Sequence, residues 1–278
     1  MKILLTGNQG YIGSVLSNIL TSEYDVVGYD IGYFKDCNLY PIKELDKQIV
    51  KDIREDSSED LLDIDIVIHL AALSNDPLGE LNDKLTNDIN YEATKNLANI
   101  AKKSKVKKFI YVSSQSMYGI SNTNEELDEI NSYKKPFTEY AKTKWKAEQY
   151  LNSIKDDQFI VTSFRPSTVF GASPRLRCDI VFNNLMACAY TTKKIEIKSD
   201  GSPWRPVIHV KDVAAAIILE LLENSNDPLL SAFVPGCKKN GIFSSISVTL
   251  ESISLAVAPL FARTATVFSE WNKANQRR

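Results

Sequence analysis

Cysteine is scarce in this sequence, with four among 278 residues. Cys37, Cys178, Cys188 and Cys237 lack the paired spacing of a metal site, so we expect free thiols in a reducing compartment and no bound metal. A run of 18 uncharged apolar residues is also missing, and we therefore expect no membrane-spanning helix. The net charge of −2 gives no electrostatic reason to expect nucleic acid or an anionic membrane as a partner.

Two further features concern the location and the surface of the protein. An apolar segment begins at Ile3, which leaves no room for a secretion signal, so we expect a cytoplasmic protein. Positive charge is concentrated in one stretch near a predicted helix end, which we interpret as a solvated surface. That stretch contains Lys102, Lys103, Lys105, Lys107 and Lys108.

Apolar segments of two kinds alternate over the first 165 residues. Six short runs are typical of strands, at residues 2–6, 25–29, 48–50, 65–70, 107–112 and 158–164. Longer stretches are typical of helices, at residues 11–20, 83–104 and 138–152. This alternation predicts right-handed crossovers and a doubly wound parallel sheet, which is an α/β fold of the Rossmann type.

The character of the sequence changes after Pro166, where proline and glycine become frequent and the predicted helices shorten. We expect residues 1–170 to form the nucleotide-binding domain and residues 171–278 to form a smaller substrate-binding lobe over the carboxyl edge of the sheet. Residues 205–223 are expected to be interleaved with the Rossmann sheet. Residues 195–198 are expected to form an isolated strand.

Three glycines, Gly7, Gly10 and Gly13, directly follow the first predicted strand. In this context the first permits a tight turn, the second lets a pyrophosphate approach the backbone, and the third lets the helix pack on the strand. The helix N-terminus then offers N–H groups to the phosphates. Asp30 ends the second strand, where it can accept both ribose hydroxyls and repel a 2′-phosphate. The pattern therefore predicts NAD rather than NADP.

Residues at two other strand ends could also meet the cofactor. Asp52 and Ile53 follow the third strand and could bracket an adenine, although taken alone they are an ordinary loop pair. Residues 70–72 close the fourth strand with Leu-Ala-Ala, and small side chains are needed where backbone meets a ligand. We interpret His69, just before them, as a packed strand residue rather than a catalyst.

Tyrosine is followed by lysine four residues later at three places, Tyr91/Lys95, Tyr140/Lys144 and Tyr190/Lys194. Only Tyr140 opens the helix that follows the fifth strand, which brings it beside Ser114 at the end of that strand. Residues i and i+4 share a helix face, so Lys144 can lie under the phenol. An isolated phenol has a pKa of about 10, and a nearby ammonium favours the phenolate. Tyr140 is thus a candidate general base, with Ser114 bonded to the same substrate oxygen.

Together these motifs resemble the extended short-chain dehydrogenase/reductase family, in its NAD-dependent epimerase/dehydratase branch. The resemblance runs from Lys2 to about Leu222, through residues 6–13, 69–72, 113–119 and 165–171. It implies Ser114, Tyr140 and Lys144 as catalytic residues. It also implies a set of residues that contact NAD or support its site: Gly7, Gly10, Tyr11, Ile12, Gly13, Asp30, Asp52, Ile53, Leu70, Ala71, Ala72, Asn90, Tyr140 and Lys144.

The same resemblance implies a nucleotide-sugar substrate. Asn183 and Arg205 fall where family members contact the substrate diphosphate, and Arg175 could add to that contact; Ser114 would contact the sugar. Dehydratases of the family carry an Asp-Glu pair directly after the serine, whereas this chain has Gln115-Ser116. We therefore expect an epimerase that moves a hydride to bound NAD and back. The alternatives are a ketoreductase or dehydrogenase that uses external NAD(H), and a non-catalytic NAD-binding module.

The resemblance fades in the last part of the chain. Residues 228–262 contain three charged residues, Lys238, Lys239 and Glu251. Either the substrate lobe is remodelled there, or residues 238–278 are a frame-shifted tail that leaves the lobe incomplete. Helices 83–104 and 138–152 could form the four-helix contact of a homodimer, or could equally face solvent.

Overall fold

A computed structural model describes residues 1–74, 79–119, 127, 129–197, 206–222 and 242–243. All of them belong to one compact unit of the chain. The atypical stretch 238–278 lies outside the described residues, apart from the backbone of residues 242 and 243.

The described residues form nine strands: β1 (Lys2–Thr6), β2 (Asp25–Asp30), β3 (Lys47–Val50), β4 (Ile66–His69), β5 (Lys108–Val112), β6 (Ile160–Phe164), β7 (Thr168–Phe170), β8 (Val207–His209) and β9 (Ile242–Phe243). Seven of them make one sheet in the order β3-β2-β1-β4-β5-β6-β9, in which every neighbouring pair is parallel. A separate two-stranded parallel sheet pairs β7 with β8.

The helices are α1 (Tyr11–Leu20), α2 (Asp83–Asn87), α3 (Ala93–Lys103), α4 (Glu139–Ile154), α5 (Val181–Thr192) and α6 (Val210–Leu222). Helix α1 connects β1 to β2, helices α2 and α3 connect β4 to β5, and helix α4 connects β5 to β6. A π-helical turn at Asp88–Glu92 joins α2 to α3, so these two helices form one continuous rod. The three helices predicted in the first 165 residues are therefore confirmed, with ends that differ by one or two residues.

The two faces of the sheet are covered by different helices. Successive strand residues point to opposite faces, and on one face Leu4, Val67 and Phe109 pack in a core with α3 and α4. On the other face lie alternating residues such as Ile3 and Ile68, which are also fully buried, and α1 packs there against α6. Strands β4 and β5 are buried along their whole length, which explains the continuous apolar runs at residues 66–68 and 109–112.

The strand order reverses between β1 and β4. In a doubly wound sheet, the loops beyond the carboxyl ends of the strands part at this point and leave a crevice where ligands bind. The predicted doubly wound α/β fold is confirmed, and the exits of β1, β2, β4 and β5 define where a site belongs.

Two expectations from the sequence are wrong. Residues 195–197 form no strand, and β7 and β8 make the small sheet instead. Lys108 is not part of a solvated basic surface, because its side chain is 4% exposed and its ammonium pairs with Glu220 at 2.9 Å. No described helix combines the length and the apolar character that crossing a bilayer requires.

Candidate active site

The chain turns sharply as it leaves β1. Gly7 has a φ of +70°, and a Cβ atom there would lie 2.8 Å from the backbone nitrogen of Ala71 at the exit of β4. A Cβ atom on Gly13 would lie 2.0 Å from the carbonyl oxygen of Gly7. Both positions therefore require glycine for the turn to pack against its own helix and the neighbouring strand. Gly10 is less confined, with a closest approach of 3.2 Å.

The N-terminus of α1 opens directly from this turn. Gly10 is its N-cap and makes no side-chain cap. The carboxylate of Asp30, at the end of β2, accepts hydrogen bonds from the Gln9 amide at 3.1 Å and the Gly32 amide at 2.9 Å. The turn thus combines backbone amides, a helix N-terminus and a carboxylate at the next strand end. That combination fits the phosphates and ribose of a dinucleotide.

Asp52 and Ile53 lie just beyond β3. Asp52 caps a 3₁₀ turn at Ile53–Glu55, and its carboxylate binds the Arg54 guanidinium at 2.6 Å. This hydrogen-bonded pairing lowers the pKa of Asp52. The side chain of Ile53 is buried. The pair stands at the same sheet edge as Asp30, so its predicted contact with an adenine is compatible with the fold.

The exit of β4 is built around His69. Its ring nitrogens lie 2.7 Å from Thr6 Oγ1 and 2.8 Å from Thr94 Oγ1, and burial lowers its pKa to about 3. His69 is therefore a neutral packed residue, as predicted. Thr6 Oγ1 also accepts hydrogen bonds from the amides of Leu70 and Ala71, which draws the β4 exit onto the glycine turn. Ala72 follows, half-buried.

Asn90 lies in the π-helical turn and is buried. Its side-chain oxygen accepts from the Leu73 amide at 2.8 Å, and its side-chain nitrogen donates to the Leu73 carbonyl at 3.1 Å. These two hydrogen bonds anchor the loop that follows β4 to the helix. Its place at the cofactor site stays a prediction.

Ser114 lies two residues past β5 and is the N-cap of a 3₁₀ turn at Gln115–Tyr118. Its Oγ accepts a hydrogen bond from the Ser116 amide at 3.1 Å and donates one to Ser116 Oγ at 3.0 Å. The Ser114 side chain is thereby oriented at the carboxyl end of the sheet, beside the point where the strand order reverses.

Helix α4 brings Tyr140 and Lys144 to the same place. Thr138 caps the helix through the Ala141 amide, and α4 packs against the 3₁₀ turn that begins at Ser114. Lys144 lies on the buried face of α4, where its Nζ donates to the carbonyl oxygen of Val112 at 2.8 Å. Burial lowers the pKa of Lys144 to about 7.

Tyr140 lies one turn before Lys144 and is half-buried. The other two tyrosine–lysine pairs have different surroundings. Lys95 pairs with Glu92 at the surface, and the side chain of Tyr190 is 64% exposed. Burial of the lysine therefore distinguishes Tyr140/Lys144 from the other two pairs with the same spacing.

Residues 171–177, here called the crossing segment, pass over the carboxyl edge of the sheet. At α1, the Tyr11 hydroxyl donates to the Gly171 carbonyl at 2.7 Å, and Ser173 Oγ donates to the Tyr11 carbonyl at 2.7 Å. Ser173 Oγ also lies 2.9 Å from Ser14 Oγ. The segment is thus fastened to the first turn of the helix that follows the glycines.

The crossing segment also reaches the exits of β2 and β4. The Leu39 amide donates to the Pro174 carbonyl at 2.8 Å, and the Arg175 guanidinium lies 4.1 Å from the ring centroid of Phe34. On the other side, Arg177 Nη1 donates to the Ser74 carbonyl at 3.3 Å. One short segment therefore joins the loops that surround the crevice.

The residues predicted to contact the substrate differ in their surroundings. The Asn183 amide donates to the Tyr11 hydroxyl and the Arg177 carbonyl, and its oxygen accepts from the Gly171 amide. Arg175 stacks on Phe34, and its Nε is buried with no hydrogen-bond partner among the described residues. Arg205 lies outside the described residues. Phe34 and Ser173, which had no sequence signal, are loop residues brought in only by packing.

Known proteins share both the sequence pattern and the fold. Residues 3–230 match the NAD dependent epimerase/dehydratase family. An N-acetyl-alpha-D-glucosaminyl-diphospho-ditrans,octacis-undecaprenol 4-epimerase from Escherichia coli is 30% identical over 180 residues, which cover 63% of this chain and 50% of the relative. A dTDP-D-glucose 4,6-dehydratase from Mus musculus is 30% identical over 232 residues, which cover 79% of this chain and 64% of the relative.

Among solved structures, a UDP-glucuronic acid 4-epimerase from Bacillus cereus, in complex with UDP-glucuronic acid and NAD, superposes with a TM-score of 0.68. It is 28% identical, and the match covers 82% of this chain and 74% of that chain. The chain spans between half and two thirds of the length of the two curated relatives.

Proposed function

The chain belongs to the NAD-dependent epimerase/dehydratase family, and from this premise we propose that it is a nucleotide-sugar epimerase that keeps NAD bound throughout turnover. The observation that carries the proposal is the buried Lys144, which sits one helical turn from Tyr140 and is bonded to the strand that leads to Ser114. Burying an amine disfavours its charged form, so the placement of Lys144 favours a negatively charged partner such as a phenolate on Tyr140.

The cradle for NAD is the glycine turn with the N-terminus of α1, flanked by Asp30. The confinement of Gly7 and Gly13 supports this assignment, since side chains there would fill or break the turn. The Asp30 carboxylate would bind the ribose hydroxyls, and Asp52 with Ile53 would border the adenine. Bound there, NAD would supply the hydride-transfer chemistry that inversion of a sugar carbon requires.

Tyr140 acts as the general base and removes the proton of a ring hydroxyl, while Ser114 hydrogen-bonds to the same oxygen. Burial lowers the pKa of Lys144 to about 7, so a negative charge beside this amine would favour its protonated form. A phenolate on Tyr140 would supply that charge. Deprotonation of the phenol and protonation of the amine therefore stabilise each other.

Epimerisation is favoured over dehydration by the residues after Ser114. A dehydratase needs an acid to protonate the leaving hydroxyl, and Gln115 and Ser116 cannot supply a carboxyl proton. Ser116 is instead bonded through its amide and hydroxyl to Ser114. The relatives include 4-epimerases as well as 4,6-dehydratases, and this local difference supports the choice of an epimerase.

A retained cofactor is supported by the crossing segment. It ties the first turn of α1 to the loops after β2 and β4 through Ser173, Pro174 and Arg177. An epimerase must hold its reduced cofactor until the sugar has turned over, whereas a ketoreductase exchanges it. A segment fastened at three points around the crevice suits retention.

The substrate would bind through its diphosphate. Both amide hydrogens of Asn183 are donated within the protein, so Arg175 and Arg205 are the proposed contacts. A guanidinium suits phosphate oxygens because it donates in a planar fork. The buried, unpaired Nε of Arg175, which has no partner in the described part of the chain, is available for such an anion.

The test is turnover without added cofactor. The purified protein is incubated with UDP-glucuronic acid, UDP-glucose, UDP-N-acetylglucosamine or dTDP-glucose, and the sugar stereochemistry is followed by NMR. Separately, the protein is denatured and any nucleotide that co-purified with it is identified by mass spectrometry. The proposal expects an epimeric product and co-purified NAD. A strict need for added NADH would instead identify a ketoreductase, and bound NAD with no reaction would identify a non-catalytic module.

A further inference from the structure

A buried arginine joins the two elements that carry the proposed catalytic residues. Arg165 follows β6 directly, and its side chain is 9% exposed. Its guanidinium contacts the carboxylate of Glu148 through Nε and Nη2, with Nε 3.1 Å from Oε1. Nη1 of the same group donates to the Tyr118 hydroxyl at 2.6 Å. One side chain thus reaches a helix and a turn at once.

Glu148 is the contact on the helix side. It lies on the buried face of α4, one turn after Lys144 and two turns after Tyr140, and its side chain is 3% exposed. A buried ion pair is tolerated only when its geometry satisfies both partners. The Arg165–Glu148 pair therefore prevents α4 from sliding along its axis, and so fixes the position of Tyr140 relative to the carboxyl edge of the sheet.

Tyr118 is the contact on the side of the serine. It is the last residue of the 3₁₀ turn that Ser114 caps. The beginning of the same turn is held by the residue after Arg165, because the Gln115 amide donates to the Pro166 carbonyl at 3.2 Å. The residues that follow β6 therefore contact both ends of the 3₁₀ turn that Ser114 caps.

We propose that Arg165 is a positioning residue, which sets the Ser114 hydroxyl against the Tyr140 phenol through Tyr118 and Glu148. The inference rests on the proposed function, since it concerns the alignment of that reaction. A misplacement of about 1 Å is enough to slow an enzyme roughly 100-fold. Loss of the Tyr118 contact should thus affect the chemical step far more than binding or folding.

The experiment compares two tyrosine variants of the same kind. Tyr118→Phe removes the hydroxyl that Arg165 binds, and Tyr150→Phe removes a hydroxyl on α4 that donates to Asn99 at 2.8 Å. We expect Tyr118→Phe to lower kcat by about tenfold or more, with KM and the NAD dissociation constant unchanged within about twofold. Tyr150→Phe should leave kcat unchanged, and both variants should melt at similar temperatures.

Arg165→Lys provides a second test, because it keeps the charge beside Glu148 but cannot bind Glu148 and Tyr118 together. It should lower kcat at least as much as Tyr118→Phe. Equal kcat values for wild type and Tyr118→Phe, or equal losses in Tyr118→Phe and Tyr150→Phe, would overturn the inference and leave the proposed function intact. Absence of turnover in the wild type would overturn both.

Discussion

Lys144 donates a hydrogen bond of 2.8 Å to the carbonyl oxygen of Val112, the last residue of β5. Two residues later the chain reaches Ser114, and one turn earlier on the helix stands Tyr140. The bond therefore fixes helix α4 to the end of strand β5, the two elements that carry the three proposed catalytic residues. Nearby, the Lys144 ammonium lies 4.8 Å from the Tyr111 ring centroid, a contact that partly compensates a buried charge.

Tyr140→Phe tests the proposed base. Phenylalanine keeps the ring but has no proton to exchange, so turnover should fall by about 100-fold or more, the usual contribution of a general base. NAD content after purification should be unchanged, because the glycine turn is untouched. The matched control is Tyr190→Phe, an exposed tyrosine that also precedes a lysine by four residues. Full activity in Tyr140→Phe would remove it from the mechanism.

Alanine should destabilise the protein more at Gly13 than at Gly10. Gly13→Ala puts a methyl group 2.0 Å from a backbone oxygen that cannot move away, and overpacking of this kind costs about 1–3 kcal/mol. Gly10→Ala meets the same oxygen at 3.2 Å and should cost less than about 1 kcal/mol. Urea unfolding of the two variants measures the difference. Equal stability losses would contradict this account of the turn.

The buried pair between Lys108 and Glu220 predicts a large effect far from the site. Glu220→Ala leaves the Lys108 ammonium buried without its carboxylate, and also removes the acceptor of Thr162. Loss of one partner in a buried pair costs about 3–5 kcal/mol. The control, Glu92→Ala, breaks an exposed pair with Lys95, which should cost less than about 1 kcal/mol. Chemical unfolding of both variants should separate them clearly.

His69 predicts acid sensitivity of the fold. Its pKa is about 3 in the folded protein because it is buried, whereas an unfolded histidine has a pKa of about 6.5. Between these values the unfolded chain binds the extra proton, so stability falls as the pH falls from 6.5 towards 3. The slope is about 1.4 kcal/mol per pH unit from this residue.

The measurement is the free energy of unfolding at pH 7, 6, 5 and 4. His69→Gln should show a shallower slope than wild type, even though it is less stable at pH 7. His209→Gln is the control, since His209 is only half-buried and its pKa is lowered by burial to a smaller degree. A slope that does not change in His69→Gln would show that other groups cause the acid sensitivity.

Phe34 predicts how firmly the cofactor is held. Its ring stacks under the Arg175 guanidinium, and a cation–π contact is worth about 0.5–2 kcal/mol. Phe34→Ala should therefore speed the release of NAD by a factor of about 2–30, as measured by displacement of bound NAD in a stopped-flow instrument. Tyr33→Ala changes the neighbouring residue, 77% exposed, and should leave the rate unchanged. Identical rates of NAD release in both variants would argue that the crossing segment does not retain the cofactor.

Local patterns were sufficient to predict the parallel sheet, the helices of the first 165 residues and the position of the glycine turn. Each of these follows from residues close together in the chain: an apolar run with buried neighbours, a helical repeat, or three glycines after a strand. The sequence also led us to expect Ser114 and the Tyr140/Lys144 pair at the same edge of the sheet. In a doubly wound sheet, a strand end and the start of the next helix lie at the same edge.

Packing between distant segments determined the rest. Lys108 and Glu220 are 112 residues apart, and nothing near Lys108 in the sequence distinguishes it from the surface lysines beside it. The same holds for Tyr11 with Gly171, which are separated by 160 residues, and for Arg165 between Tyr118 and Glu148. Such contacts depend on which side chains two elements present to each other after folding. Residue type and short-range spacing carry no information about that choice.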